Sequence, residues 1–81
     1  MARMRRVVLY TAEGCRLCER ALEVVREAQE ELEFEVELVD IAGDDELEAR
    51  YRELLPVIEI DGERAFTYFV DPAALRARLG A

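Results

Sequence analysis

The segment Gly14-Cys15-Arg16-Leu17-Cys18-Glu19 contains both cysteines of the 81-residue chain and is its most informative stretch. A short apolar run at residues 5–10 precedes this segment, and a run with helical periodicity follows it. The cysteines are three residues apart, so a helix that begins at Arg16 brings them to one side, within reach of a disulfide. We therefore predict a strand, a short loop and a helix, with the dithiol at the N-terminus of the helix.

This position favours a reactive thiolate at Cys15. The free backbone N–H groups and the macrodipole at a helix N-terminus lower the pKa of a thiol placed there. Arg16 adds a positive charge that acts in the same direction, whereas Glu13 and Glu19 oppose it. We predict that Cys15 attacks a disulfide and that Cys18, on the buried side of the helix, resolves the mixed disulfide.

Three other roles of the cysteine pair stay open at this point. A structural disulfide across four residues would stabilise the fold by only about 2 kcal/mol. A metal or iron–sulfur site needs four ligands, so it would require a dimer that shares its thiolates. The pair could also be inert, in a non-catalytic module whose acidic face binds a basic partner.

The composition excludes several classes of function. The chain has 11 arginines, no lysine and 19 acidic residues, which gives a net charge of −8. Such a charge repels nucleic acid and anionic membranes, so we expect neither as a partner. Because there is no histidine, His-based catalysis and His-containing metal sites are excluded, and we predict no metal ligands. The apolar fraction of 52% predicts a folded core.

The sequence contains no apolar run of the ~18 residues that a membrane span needs. The basic residues 1–6 are not followed by the apolar region of a signal peptide, so we expect a cytoplasmic protein. In that compartment a redox-active dithiol is more usual than a structural disulfide. Gln29 is the only side-chain amide, a composition that resembles proteins of thermophiles. We predict a single domain over residues 1–81 and a monomer.

Hydrophobic periodicity predicts alternating strands and helices. The predicted strands cover residues 5–10, 33–40, 57–60 and 64–69, and the predicted helices cover residues 16–31, 44–54 and 72–79. Asp61-Gly62 predicts a hairpin between the last two strands, and Asp71-Pro72 predicts the cap and first turn of the last helix. The apolar stripe of the first helix begins at Leu17, and alternating glutamates mark the second strand as an edge strand.

The element order β-α-β-α-β-β-α predicts an α/β fold with a four-stranded mixed sheet. The first unit is a parallel crossover, and the last two strands form an antiparallel hairpin. Because the first and third strands are apolar, we expect helices on both faces of the sheet.

In these features the chain resembles the thioredoxin fold and, within it, the short glutaredoxin-like branch. The resemblance rests on Leu9-Tyr10-Thr11 leading into the cysteine segment, on Leu55-Pro56-Val57 entering the third strand, and on Asp61-Gly62 in the hairpin. It implies a cis peptide bond before Pro56, with Pro56 facing the dithiol and shielding it from metal. Leu55 would then offer its backbone to an extended substrate. The alternative is a trans Pro56 that only starts a strand.

The chain differs from typical glutaredoxins around the dithiol. Arg16 and Leu17 replace the usual proline and tyrosine between the cysteines. Ala12 stands where a lysine commonly holds a carboxylate of glutathione, and residues 65–71 replace a Gly-Gly motif. In glutaredoxins an acidic residue near the start of the last helix binds the amine of glutathione, which makes Asp71 a candidate ligand as well as a helix cap.

The resemblance implies a thiol–disulfide oxidoreductase with no resident cofactor. Its substrate would be a protein or low-molecular-weight disulfide, and its reductant would be glutathione, acting as a co-substrate, or a system of the thioredoxin reductase type. We expect Tyr10 and Tyr68, at strand ends, to pack in the core with hydrogen-bonded hydroxyls. The candidate catalytic residues are Cys15, Cys18, Arg16 and Pro56, and the candidate substrate-binding residues are Thr11, Leu17, Leu55 and Asp71.

Overall fold

The computed structural model describes residues 4–80 as one mixed sheet with helices on both faces. The strands are β1 (Arg5–Thr11), β2 (Phe34–Asp40), β3 (Val57–Ile60) and β4 (Glu63–Thr67), and the helices are α1 (Arg16–Gln29), α2 (Asp45–Tyr51) and α3 (Pro72–Gly80). A short 3-10 helix, Arg52–Leu54, extends α2. The strand order is β2-β1-β3-β4, with β1 parallel to β2 and antiparallel to β3, and with β3 antiparallel to β4. The predicted α/β fold is therefore confirmed.

The core is divided into two clusters by the sheet. The larger cluster joins Val7 and Leu9 of β1 to the apolar stripe of α1 and to Leu75 of α3. The smaller cluster includes Tyr51 of α2 and Cys18 of α1. Because side chains alternate along a strand, the side chains of successive β1 residues lie on opposite faces of the sheet. The prediction that helices cover both faces is confirmed.

Local signals in the sequence account for the turns and helix starts. The Asp44 side chain accepts a hydrogen bond from the Leu47 N–H at 3.1 Å, which caps α2. Asp61 and Gly62 both have positive φ, 52° and 87°, as a two-residue type I′ hairpin turn requires. The glutamate-rich β2 lies at an edge of the sheet, as predicted.

Several predicted boundaries and one predicted burial are wrong. Leu17 is 52% exposed, so the buried stripe of α1 begins at Cys18. Strand β4 ends at Thr67 rather than at residue 69, because Tyr68 takes a left-handed conformation with φ 64°. Helix α1 ends at Gln29 rather than at residue 31. The α2 helix tightens into the 3-10 turn before Pro56, which disfavours helix in the residue before it.

Across residues 4–80, no helix has both the length and the apolar composition needed to cross a membrane.

Candidate dithiol site

Cys15 and Cys18 form a disulfide at the start of α1, with their Cα atoms 5.2 Å apart. Cys15 is the N-cap residue, with φ −87° and ψ 104°, and its Sγ accepts a hydrogen bond from the Cys18 N–H at 3.2 Å. The Cys15 side chain is partly exposed, whereas Cys18 is only 2% exposed. The structure therefore brings the two predicted cysteines together in unequal surroundings.

This inequality suits a division of roles between the two sulfurs. On reduction, the N–H hydrogen bond and the helix N-terminus stabilise negative charge on the Cys15 sulfur. Apolar burial disfavours a thiolate at Cys18, which belongs to the smaller core cluster. The accessible sulfur is thus also the one whose environment favours the nucleophilic form.

The charged side chains nearest to Cys15 in sequence are exposed. Arg16 lies in the first turn of α1 and forms no ion pair with any residue between 4 and 80. Glu13 and Glu19 are exposed as well. Among residues 4–80, no group of three or more cysteine, aspartate and glutamate side chains is arranged to hold a metal ion.

A second segment, Leu55-Pro56, borders the dithiol. The Leu55–Pro56 peptide bond is cis, as the resemblance implied, so the trans alternative is wrong. Pro56 is fully buried. Leu55 is also buried and shares the smaller core cluster with Cys18 and Cys15. Its backbone is extended, with φ −59° and ψ 144°, a conformation compatible with strand pairing.

Thr11 and Asp71 have structural contacts of their own. The Thr11 carbonyl accepts a hydrogen bond from the Ile41 N–H at 3.0 Å, where β1 ends. The Asp71 carbonyl accepts from the Leu75 N–H at 2.9 Å, and its Oδ1 lies 3.4 Å from the Ala73 N–H, so Asp71 starts α3. Neither side chain forms a hydrogen bond to a cysteine among the described residues.

The turn between β4 and α3 is the third segment at this end of the sheet. The Tyr68 N–H donates to the carbonyls of Leu54, at 3.2 Å, and of Pro56, at 3.0 Å. The Phe69 N–H donates to the Thr67 carbonyl at 2.6 Å, which closes a three-residue turn around Tyr68. Tyr68 is 50% exposed and Phe69 is 66% exposed. The prediction that Tyr68 packs in the core is therefore wrong.

A polar cluster that is not among the residues predicted from the sequence lies behind the dithiol. The half-buried Glu59 carboxylate on β3 accepts hydrogen bonds from the hydroxyls of Tyr10, at 3.1 Å, and Tyr51, at 2.9 Å. The two tyrosine rings are in contact, with centroids 4.6 Å apart. The signal in the sequence was a single carboxylate in the otherwise apolar strand Val57–Ile60, since such a group needs partners.

The surroundings in this cluster raise the pKa values of both tyrosines. Burial, followed by the hydrogen bond to Glu59, raises the pKa of Tyr10 to about 12. The same causes raise the pKa of Tyr51. The guanidinium groups of Arg50 and Arg64 lie over the Tyr51 ring, 5.1 Å and 5.6 Å from its centroid. The cluster thus joins α2, β1 and β3 beside the buried cysteine.

Solved structures share this architecture. An NMR structure of a Nitrosomonas europaea protein has a TM-score of 0.83 and 31% identity, and the match covers 98% of this chain and 95% of that one. A crystal structure of an X. campestris protein has a TM-score of 0.76 and 30% identity, with 91% and 95% covered. A mutant thioredoxin from Halobacterium salinarum, at 21% identity, has a TM-score of 0.68 over 93% of this chain and 71% of its own. This last likeness supports the fold alone.

Sequence comparisons lead to the same group. An uncharacterized protein of Mycobacterium tuberculosis is 34% identical over 76 residues, a match that covers 88% of this chain and 78% of the relative. The glutaredoxin-like domain family (DUF836) matches residues 6–80. A cysteine pair spaced as Cys-x-x-Cys at the start of α1 in a thioredoxin-like fold fits a thiol–disulfide oxidoreductase. The chain therefore belongs to the glutaredoxin-like domain family (DUF836).

Proposed function

We propose that this protein is a thiol–disulfide oxidoreductase in which Cys15 is the attacking thiolate and Cys18 the resolving thiol. The observation that carries the proposal is the unequal placement of the two sulfurs. Cys15 is accessible and accepts the Cys18 N–H at 3.2 Å, whereas Cys18 is 2% exposed. A nucleophile that meets substrates must be accessible and ionised, and a resolving thiol needs only to reach its neighbour.

The reaction proceeds in two exchange steps. The Cys15 thiolate attacks one sulfur of the substrate disulfide, which forms a mixed disulfide and releases the other substrate sulfur as a thiolate. The Cys18 thiol loses its proton and attacks the Cys15 sulfur, which releases the second substrate thiolate. The substrate gains two electrons, and the enzyme retains the Cys15–Cys18 disulfide. A reductant outside the protein, either glutathione or a reductase of the thioredoxin reductase type, returns the pair to the dithiol.

The other candidate residues have supporting roles in this proposal. Arg16 stabilises the thiolate electrostatically, without direct contact. The extended backbone of Leu55 pairs with the substrate chain, and Pro56 covers the dithiol. Thr11, at the end of β1, and Asp71, at the start of α3, lie at the two sides of the region that binds the substrate. No resident cofactor takes part, and the substrate is a protein or small-molecule disulfide.

Single-turnover reduction of a small disulfide tests this assignment. Prereduced wild-type protein should reduce 2-hydroxyethyl disulfide and become oxidised at both cysteines. Cys15→Ser should abolish the reaction, whereas Cys18→Ser should react once and accumulate a mixed disulfide on Cys15, detectable by mass. Circular dichroism of each variant checks that the fold is kept. A Cys15→Ser variant that reduces the disulfide at the wild-type rate would exclude the proposed mechanism.

A further inference from the structure

Three large apolar side chains are exposed at the end of the molecule that carries the dithiol. Leu17 lies between the cysteines, and Tyr68 and Phe69 lie in the turn after β4; they are 52%, 50% and 66% exposed. We call these three residues the apolar rim. The other large apolar residues exposed within residues 4–80 are Met4, just before β1, and Leu38 on the edge strand β2.

The strand register places the turn of Tyr68 beside the reactive segments. Tyr10 pairs with Val57 across β1 and β3, and Val57 pairs with Thr67 across β3 and β4. Extending this register by one residue aligns Thr11 with Pro56 and Pro56 with Tyr68. The hydrogen bond from the Tyr68 N–H to the Pro56 carbonyl agrees with the alignment of Pro56 and Tyr68. β1 leads from this row directly into the cysteine loop, so Tyr68 and Phe69 lie at the dithiol end of the sheet.

The backbone of Tyr68 has a conformation that is unfavourable for its side chain. Its φ of 64° is in the left-handed region, which glycine occupies without penalty and which is unusual for a bulky residue. The three-residue turn with positive φ at its centre is the rare and strained form. The hydrogen bonds that hold the turn are donated by the backbone N–H groups of Tyr68 and Phe69, and none of them involves the Tyr68 ring. The ring therefore adds an exposed apolar surface to a position where glycine would fold more easily.

The charge around the rim argues against a small anionic substrate. Glu13, Glu19 and Asp71 are exposed near the cysteine loop and the start of α3, and Arg16 is the one cation of the cysteine segment. The chain as a whole carries a net charge of −8, which repels the anionic disulfide of glutathione. Glutathione also has no apolar side chain to cover the rim. An extended peptide with an apolar residue beside its cysteine, and with neutral or basic neighbours, matches both features.

We propose that the apolar rim binds an apolar side chain adjacent to the disulfide cysteine of an extended protein segment. This inference rests on the proposed function and names its substrate class, a protein disulfide flanked by apolar residues. Tyr68 is then the main residue that determines specificity, with Phe69 and Leu17 completing the surface. The electrons follow the two exchange steps given above, from the Cys15–Cys18 dithiol to the peptide disulfide.

The test compares matched peptide disulfides in single turnovers of prereduced protein. Two disulfide-linked heptapeptide dimers carry the same lysines and differ only in having leucines or serines on both sides of the cysteine. The wild-type second-order rate constant should be at least fivefold higher for the leucine dimer, and oxidised glutathione should react no faster than the serine dimer. Tyr68→Gly should bring the ratio of the two rate constants, leucine dimer to serine dimer, below about two. The variant should keep the fold because glycine suits the left-handed turn.

Two further variants and one binding measurement complete the design. Phe69→Ser should also lower the preference, whereas Met4→Ser, which removes an exposed apolar side chain at the opposite end of β1, should preserve it. An unreactive leucine peptide with serine in place of cysteine should shift the NMR signals of Leu17, Tyr68 and Phe69 in the oxidised protein.

The outcomes separate this inference from the proposed function. A wild-type protein that reduces both dimers equally fast, or variants of Tyr68 and Phe69 that both keep the leucine preference, would overturn the rim proposal and leave the oxidoreductase intact. Absence of NMR shifts with the leucine peptide would overturn it in the same way. A wild-type protein that reduces none of the disulfides, including 2-hydroxyethyl disulfide, would overturn the function and the rim proposal together.

Discussion

Replacing Glu59 with leucine tests whether the tyrosine cluster behind the dithiol stabilises the fold. The carboxylate accepts one hydrogen bond from the Tyr51 hydroxyl at 2.9 Å and one from the Tyr10 hydroxyl at 3.1 Å. Glu59→Leu removes both acceptors at once. Tyr51 is 2% exposed, so its hydroxyl has no ready access to water, whereas the half-buried Tyr10 can turn toward solvent.

The expected loss follows from this difference in burial. A buried hydroxyl without an acceptor costs roughly 1–3 kcal/mol, and the loss of a partly exposed hydrogen bond costs about 0.5–1.5 kcal/mol. We therefore expect Glu59→Leu to lower the free energy of unfolding by about 2–4 kcal/mol. For a domain of this size, each kcal/mol corresponds to a decrease of about 4–8 °C in Tm. Glu59→Gln keeps a hydrogen-bonding group in place and should cost only about 1 kcal/mol.

Urea unfolding of the oxidised protein, followed by circular dichroism, measures these values. Glu63→Leu, on the exposed start of β4, is the matched control and should change stability by less than about 0.5 kcal/mol. Adding Tyr51→Phe to Glu59→Leu should recover part of the loss, because the orphaned hydroxyl is then gone. A Glu59→Leu variant as stable as Glu63→Leu, with no gain from Tyr51→Phe, would refute this account of the cluster.

Three further predictions concern charge, pH and helix capping. Arg16→Ala should raise the pKa of Cys15 and make the reduction potential of the dithiol more negative by about 5–20 mV, since an exposed charge interaction is worth about 0.2–1 kcal/mol. A thiol titration and a redox titration measure the two quantities, and unchanged values would contradict the role of Arg16. The pKa of Tyr10, raised from 10.0 to about 12, means that the folded state holds the phenolic proton more tightly than the unfolded state. Its contribution to stability should therefore be complete below pH 10 and disappear as the pH rises toward 12, and urea unfolding between pH 9 and 12 should show a smaller decrease for Tyr10→Phe. Asp44→Ala removes the cap on the Leu47 N–H and should lower the free energy of unfolding by about 1 kcal/mol; a change below 0.3 kcal/mol in urea unfolding would contradict the capping role.

Local patterns made most of the architecture predictable. The order of the elements, the edge position of β2 and the hairpin at Asp61-Gly62 follow from periodicity and turn chemistry, which act over a few residues. The cysteines are neighbours in sequence, so one helical turn suffices to bring them together. The cis bond at Pro56 followed from the resemblance to a known family and not from the residues alone, because a proline before a strand is compatible with either isomer.

The features that escaped prediction depend on distant partners. Leu17 continues the helical stripe of α1, but it lies in the first turn, beyond the residues that pack on the sheet, and remains exposed. The strand predicted after the hairpin runs as far as Phe69, yet the left-handed turn at Tyr68 ends β4 earlier. Glu59 finds its hydroxyl partners on β1 and α2, and no pattern within the third strand specifies them.

The most direct test of the central claim is an equilibrium redox titration of the Cys15–Cys18 pair, read by mass labelling of free thiols across a series of glutathione ratios. A dithiol oxidoreductase should give one reversible two-electron transition. Its reduction potential should lie at roughly −200 to −270 mV, the range of known intracellular oxidoreductases. Cys15 should be labelled faster than Cys18 in the reduced protein, because it is the accessible sulfur. A folded protein whose thiols show no transition and no difference in reactivity would contradict the account.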